Sequence, residues 1–78
     1  MSNKIKWGIL GPGKIARKFV QDLQLVENAE IYAVASRNLS RAESFSNQFN
    51  AKQSYGSYLE LVQDKNVDVV YVATSHVY

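Results

Sequence analysis

Apolar and polar residues alternate along the chain in two different patterns, one typical of strands and one typical of helices. Three apolar or β-branched runs, at 5–10, 31–35 and 67–73, have the character of strands, and a weaker stretch at 52–55 predicts a short strand before the last of them. The stretches between them are amphipathic and have the spacing of helices. Strands that alternate with helices are typical of a parallel sheet covered by helices, so the pattern predicts an α/β fold.

Three helices are predicted between the strands. The first spans 14–26 and buries the residues that recur at helical spacing, namely Ile15, Ala16, Phe19, Val20 and Leu23. Two S-x-x-E capping boxes predict the starts of the others, one formed by Ser40 with Glu43 and one by Ser57 with Glu60. The expected buried faces hold Ala42, Phe45 and Phe49 in the second helix, and Leu59 and Val62 in the third.

The usual rules for connecting parallel strands predict the order of the strands in the sheet. Right-handed crossovers with doubly wound connectivity give the strand order 3-2-1-4, as in a truncated Rossmann fold. The fourth strand is then left at an edge where further strands would pair. We therefore expect residues 1–78 to be a single, partial dinucleotide-binding domain without a substrate domain, and we expect self-association through the fourth strand.

Composition and charge exclude several classes of function. The net charge is only +2, from nine Lys and Arg against seven Asp and Glu, so nucleic acid is not an expected partner. The chain lacks cysteine and has a single histidine, His76, so neither a thiolate metal site nor a catalytic triad is expected. No signal peptide or membrane-spanning run is visible at the sequence level, and we expect a cytoplasmic protein.

The first strand leads into Gly11-Pro12-Gly13-Lys14-Ile15-Ala16, a G-x-G-x-x-A pattern placed between a strand and a helix. Gly11 can form the tight turn, Gly13 lets a pyrophosphate approach the backbone, and Ala16 lets the helix pack closely. The helix N-terminus adds free N–H groups for an anion. Since strand, loop, helix and second strand fall within one βαβ unit, the pattern predicts a dinucleotide site; a P-loop is disfavoured because G-K-[ST] is lacking.

The residues after the second strand indicate which dinucleotide binds. NAD-binding versions of this fold place an Asp or Glu there to accept hydrogen bonds from the ribose 2′-hydroxyl. This chain has Ser36 and Arg37 instead, and Arg41 follows in the first turn of the next helix. A guanidinium matches the 2′-phosphate that a carboxylate would repel. We therefore expect NADP, with NAD the weaker alternative.

Several stretches together resemble the N-terminal domain of the glucose–fructose oxidoreductase and inositol dehydrogenase (Gfo/Idh/MocA) family, and within it the branch of the dimeric dihydrodiol dehydrogenases. The stretches that carry the resemblance cover nearly the whole chain and lie at 7–16, 33–37, 40–42, 55–58 and 69–74.

The resemblance implies roles for individual residues. Gly11, Pro12, Gly13, Lys14 and Ile15 would lie against the pyrophosphate. Ser36, Arg37 and Arg41 would surround the adenosine ribose phosphate, and Thr74 and His76 would lie near the nicotinamide.

It also implies a reaction, namely hydride transfer between nicotinamide and a sugar, polyol or diol. The family's E-K-P stretch, whose lysine exchanges the proton, would follow Tyr78. We therefore expect no catalytic residue within residues 1–78, and no turnover by this chain alone.

Two other classes of function share parts of this pattern. One is a non-catalytic, NAD(P)-responsive regulatory or binding module, because fold alone does not fix function. The other is a methyltransferase, which also places a glycine loop on an α/β sheet. A methyltransferase would favour an acidic residue where Ser36 and Arg37 stand.

Overall fold

The computed structural model describes residues 4–11 and 13–73. Strands β1 (Ile5–Leu10), β2 (Ala29–Ala35), β3 (Gln53–Tyr55) and β4 (Val69–Val72) alternate with three helices. The helices are α1 (Lys14–Leu23), α2 (Leu39–Phe49) and α3 (Tyr58–Val62).

The four strands form one parallel sheet in the order β3-β2-β1-β4, which confirms the predicted topology and the Rossmann-like α/β fold. Strands β1 and β2 occupy the centre, and β4 lies at one edge of the described sheet. Because all strands run the same way, their carboxyl ends meet at a single edge of the sheet. Ligands of open α/β sheets bind outside that edge.

Two apolar clusters cover the two faces of the sheet. On one face α1 and α2 pack together, and the cluster comprises Ile9, Ala16, Val20, Leu23, Ile31, Val34, Ala42, Phe45, Phe49 and Ala73. On the other face α3 packs alone, and the cluster comprises Leu10, Tyr32, Ala33, Ala35 and Leu61. This division puts the start of α1 and the start of α2 on the same side of the sheet.

The pairing of β1 with β2 contains a one-residue register shift. Trp7 pairs with Ile31, whereas the next residue, Gly8, pairs with Ala33, so β2 carries an extra residue at Tyr32. Since side chains alternate between faces along a strand, an extra residue changes which face the following positions occupy. Tyr32 and Ala33 accordingly belong to the same cluster, and Val34 returns to the α1 and α2 face.

The starts of the helices agree only partly with the predicted capping boxes. Ser57 does cap α3, since its hydroxyl accepts a hydrogen bond from the Glu60 N–H at 3.3 Å. Helix α2 starts earlier than Ser40 predicts, because Asn38 is its N-cap and accepts bonds from the N–H groups of Ser40 and Arg41. Asn38 and not Ser40 is the N-cap because the short Asn38 side chain accepts bonds from the backbone N–H groups two and three residues ahead.

The predicted boundaries of α1 and the predicted buried face of α3 need correction. Helix α1 ends at Leu23 and not at residue 26 as predicted. After the C-cap of the helix the backbone hydrogen bonds join residues three apart, as from the Val26 N–H to the Leu23 carbonyl, which is the pattern of a turn. In α3 the buried side chain is Leu61, whereas Leu59 and Val62 are exposed. Tyr58, at the start of this helix, is partly buried against the same apolar cluster, and Leu61 is the residue of the helix that is fully buried.

Leu61 is fully buried because Gly8 of β1 leaves space for it. A β-carbon built on Gly8 would lie 2.6 Å from Leu61 Cδ2 and 3.0 Å from Val67 Cγ1. Glycine is therefore required here by the close approach of α3 and the following loop to β1.

A polar network anchors the turn between α3 and β4. The Tyr55 hydroxyl donates to the Asp64 carboxylate at 2.5 Å, and the Asn66 N–H donates to the other oxygen of that carboxylate at 2.8 Å. The Asn66 side-chain amide donates in turn to the Tyr32 hydroxyl at 3.2 Å. The Asp64 hydrogen bond, with burial as a second cause, raises the pKa of Tyr55 to about 12. The same bond lowers the pKa of Asp64, helped by the Asn66 N–H.

Among the described residues, no helix combines the length and apolar character needed to span a bilayer.

Replacing Gly8 by Ala should destabilise the fold by about 1–3 kcal/mol, because the new methyl would overlap Leu61 Cδ2 and force this fully buried side chain to shift. Urea denaturation followed through Trp7, the single tryptophan of the chain, would measure the loss. Gly56→Ala is the matched control, since its β-carbon would lie 3.4 Å from the nearest atom, Leu39 Cβ. Equal midpoints for the two variants would contradict the packing argument.

Replacing Tyr55 by Phe should return the pKa of Asp64 toward its ordinary range, which carboxyl NMR shifts would detect. In the unchanged protein, the lowered pKa of Asp64 gives stability that is lost as the pH falls through that pKa. The raised pKa of Tyr55 gives stability that is lost as the pH rises from 10.0 to about 12. Denaturation midpoints of Tyr55→Phe should lack the alkaline dependence and show a weaker acid dependence, because the Asn66 N–H still bonds Asp64, and those of Tyr58→Phe should keep both.

Candidate functional site

The carboxyl edge of the sheet is extended by hydrogen bonds that continue past the strand ends. Gly11 N–H donates to the Ala35 carbonyl at 3.0 Å, and Ser36 N–H donates to the Tyr55 carbonyl at 3.1 Å. Gly11 adopts a positive φ of 82°, in the region that L side chains rarely occupy. The first glycine of the loop and the first residue after β2 are thus fixed by backbone bonds to neighbouring strands.

The N-terminus of α1 is built differently from those of the other two described helices. Its N-cap is Gly13, which offers no side-chain cap, and its first turn contains no acidic residue. Helices α2 and α3 have side-chain caps from Asn38 and Ser57. A β-carbon on Gly13 would meet no protein atom within 4 Å, so the space in front of this backbone is open. Uncapped N–H groups facing open space form a site for an anion, supported by a partial positive charge of roughly +0.5.

The turn from β2 into α2 is held by two side chains. Ser36 is buried, and its hydroxyl oxygen accepts a bond from the Asn38 N–H at 3.2 Å. Because that bond uses the oxygen as acceptor, the hydroxyl hydrogen remains available to donate. Asn38 in turn accepts from Ser40 N–H at 2.9 Å, which begins α2. Arg37, between these two residues, is exposed.

An open cleft of about 410 Å³ separates α1 from α2. Gly13 and Arg17 line it from α1, and a stripe of α2 residues lines it from the other side, namely Ser40, Arg41, Ser44, Phe45 and Gln48. The cleft therefore runs between the candidate pyrophosphate loop and the helix that follows β2. Two arginines, Arg17 and Arg41, line the same space from opposite helices.

The structure gives different positions to the residues predicted to bind cofactor. Gly13 and Arg41 meet in the cleft, whereas Gly11 and Ser36 lie at the edge of the sheet. Three others are exposed and do not line the cleft, namely Lys14, Ile15 and Arg37. The remaining predicted residues lie outside the described part of the chain, namely Pro12, Thr74 and His76.

Arg17 is a cleft residue that sequence reasoning missed. The helical pattern assigns it to the solvent side of α1, and it is indeed exposed, but toward α2. Its position four residues after Gly13 is the signal that could have found it, because residues four apart lie on the same side of a helix. The same spacing joins Arg41, Ser44, Phe45 and Gln48 on α2.

The electrostatic balance of the cleft favours anions. The ion pair found among residues 4–11 and 13–73 joins Lys52 to Glu30 at 3.1 Å, and neither residue lines the cleft. No group of three or more His, Cys, Asp or Glu in the described residues could hold a metal ion. The described residues that line the cleft include two arginines and no Asp or Glu, a composition suited to an anionic ligand.

Comparison with known proteins identifies relatives for this arrangement. Residues 5–77 match the GFO_IDH_MocA model, described as an oxidoreductase family with an NAD-binding Rossmann fold. The trans-1,2-dihydrobenzene-1,2-diol dehydrogenase of Mus musculus is 46% identical over 74 residues. That match covers 92% of this chain and 22% of the mouse enzyme, so the chain spans under a quarter of the length of this relative.

Solved structures show the same backbone. KijD10, a 3-ketoreductase from Actinomadura kijaniata in complex with TDP-benzene and NADP, matches with a TM-score of 0.86 and 33% identity, over 92% of this chain and 23% of that one. Myo-inositol dehydrogenase from Lactobacillus casei, in complex with NAD(H) and myo-inositol, matches with a TM-score of 0.83 and 27% identity, over 92% of this chain and 22% of that one.

Replacing Gly13 by Ala should leave the denaturation midpoint unchanged, because the added methyl meets no protein atom, but should weaken dinucleotide binding about tenfold, roughly 1.4 kcal/mol. Titration calorimetry of the full-length protein with NADPH and NADH would measure this. Gly11→Ala is the contrasting variant, since its positive φ should cost about 1–2 kcal/mol of fold stability. Unchanged affinity in a folded Gly13→Ala protein would refute the role of Gly13.

Proposed function

The chain belongs to the GFO_IDH_MocA family of oxidoreductases with an NAD-binding Rossmann fold, and from this premise we propose which cofactor and reaction it serves. We propose that it is the NADP-binding part of an oxidoreductase that transfers a hydride between nicotinamide and a sugar, polyol or diol. The trans-1,2-dihydrobenzene-1,2-diol dehydrogenase and the myo-inositol dehydrogenase among its relatives support a diol or polyol substrate.

The open N-terminus of α1 supports the first part of this proposal. A pyrophosphate needs backbone N–H donors and room to approach them, and Gly13 provides both at an uncapped helix start. Gly11 makes the turn that brings the chain from β1 to this point. Lys14 and Ile15, both exposed in the first turn of α1, would flank the same group.

The proposed preference for NADP rests on the residues that follow β2, and these residues are the observation that carries the proposal. Solved relatives include one complex with NADP and one with NAD(H), so membership of the family leaves the choice to local residues. Here Ser36 follows β2 directly with a hydroxyl hydrogen free to donate, Arg37 comes next, and Arg41 lines the cleft. These groups would bind a 2′-phosphate and offer no carboxylate to a 2′-hydroxyl.

The chemistry itself would be supplied by the bound nicotinamide, which accepts or donates the hydride. The described residues of this chain orient the dinucleotide and contain no group that we assign to proton transfer. We propose that Thr74 and His76 approach the nicotinamide half, and that the proton-transferring lysine and the substrate-binding residues belong to other parts of the protein.

The proposal extends to partners and compartment. We propose self-association of the protein through the region of β4, in which Val69 and Val72 are exposed among the described residues. We further propose a cytoplasmic location, in which small molecules are the ligands of the protein.

Replacing Arg37 by Ala should weaken NADPH binding by about tenfold or more and leave NADH binding unchanged, because a charged hydrogen bond contributes about 1.5–3 kcal/mol. Fluorescence titration of the full-length protein with each dinucleotide would measure both affinities. Lys65→Ala is the matched control, since it removes one exposed charge in the turn that precedes β4, at the opposite end of the sheet. An unchanged preference for NADPH would overturn the assignment.

A further inference from the structure

We propose that Arg17 of α1 is a specificity-determining residue that binds the 2′-phosphate of NADP together with Arg41, from the opposite wall of the α1–α2 cleft. This inference rests on the proposed function and adds a residue to it. Its first support is position, because Arg17 and Arg41 line one open space with Gly13.

The donors of α2 explain why a cation from α1 is needed. The N–H groups of Ser40 and Arg41 at the start of α2 are already bonded to Asn38, at 2.9 and 3.4 Å. The start of this helix therefore has fewer backbone donors to offer to a phosphate than an uncapped helix has. An anion beyond the end of β2 must then be bound mainly by side chains.

Charge gives the second argument. A phosphate monoester carries about −1.5 to −2 charges at neutral pH. Arg37 does not line the cleft, so within the cleft Arg41 contributes one positive charge and Arg17 supplies a second one from the facing helix. Two guanidinium groups that share a cleft repel each other, and a dianion between them converts this repulsion into attraction.

The surroundings of Arg17 leave it available for this role. Its side chain is exposed, and no acidic residue lies in the first turn of either α1 or α2. Ser44 and Gln48 add neutral donors along the same wall as Arg41. Phe45 is buried beneath them, so the base of the cleft is apolar and its rim is polar and basic.

Binding of two small probes tests this proposal without any measurement of activity. The probes are adenosine 2′,5′-bisphosphate and AMP, which differ by the 2′-phosphate, and calorimetry on the full-length protein gives their affinities. Arg17→Gln should weaken the bisphosphate about five- to tenfold, or roughly 1–1.4 kcal/mol, and leave AMP within about twofold. Arg17→Lys should recover part of the loss, because it restores the charge without the planar guanidinium.

Lys18→Gln is the matched control, because it removes one exposed charge from the same helix at a position that does not line the cleft. It should leave the ratio of the two affinities unchanged. Arg17→Gln and Arg41→Gln should also combine less than additively if both residues bind one phosphate.

Equal weakening of both probes by Arg17→Gln, or no change in either, would overturn the role of Arg17. The two proposals fail in different ways. If Arg37→Ala lowers the preference for NADPH while Arg17→Gln does not, only the inference about Arg17 fails. If the unchanged protein binds AMP as tightly as the bisphosphate, the proposed preference for NADP is itself wrong, whatever Arg17→Gln does.

Discussion

The parallel pairing of β1 with β2 is the interaction on which the arrangement of this molecule depends. It runs to Leu10 and Ala35, and the bond from Gly11 N–H to the Ala35 carbonyl continues it by one residue. Because the two strands end together, the glycine turn before α1 and the turn before α2 start from adjacent points. The cleft between these helices is a consequence of that shared end.

The elements themselves were largely predictable from the sequence, because β-branched runs and helical spacing are local signals. The glycine loop and the bounds of β1 follow from residues that are adjacent in the chain. The start of α2 was misplaced because Asn38 and Ser40 are both good caps, and only the folded turn shows which oxygen reaches the free N–H groups. Periodicity likewise could not select Leu61 over Leu59, because the space that selects it is made by Gly8 of another strand.

The candidate site shows the same limit. Sequence reasoning identified Arg41, since the helix after β2 has a known relation to the ribose in this fold. It did not identify Arg17, because the relevant neighbour is a different helix and the facing of two helices is set by packing on the sheet. The buried cluster formed by Ala16, Val20, Ala42 and Phe45 fixes that packing. Small residues at two of these positions let α1 pack against β2 while α2 packs against β2 and β3.

The extra residue in β2 determines more than local pairing. After the shift at Tyr32, Val34 lies on the α1 and α2 face, and alternation assigns Ser36 to that same face, the one on which the cleft opens. Without the extra residue, the positions would exchange faces, and Ala35 would take the place of Ser36. The number of residues in β2 thus determines that a hydroxyl suited to phosphate lies on this face. Relatives that differ by one residue in β2 can consequently present a different side chain at this point, and so differ in ligand chemistry, while the residues that line the cleft stay the same.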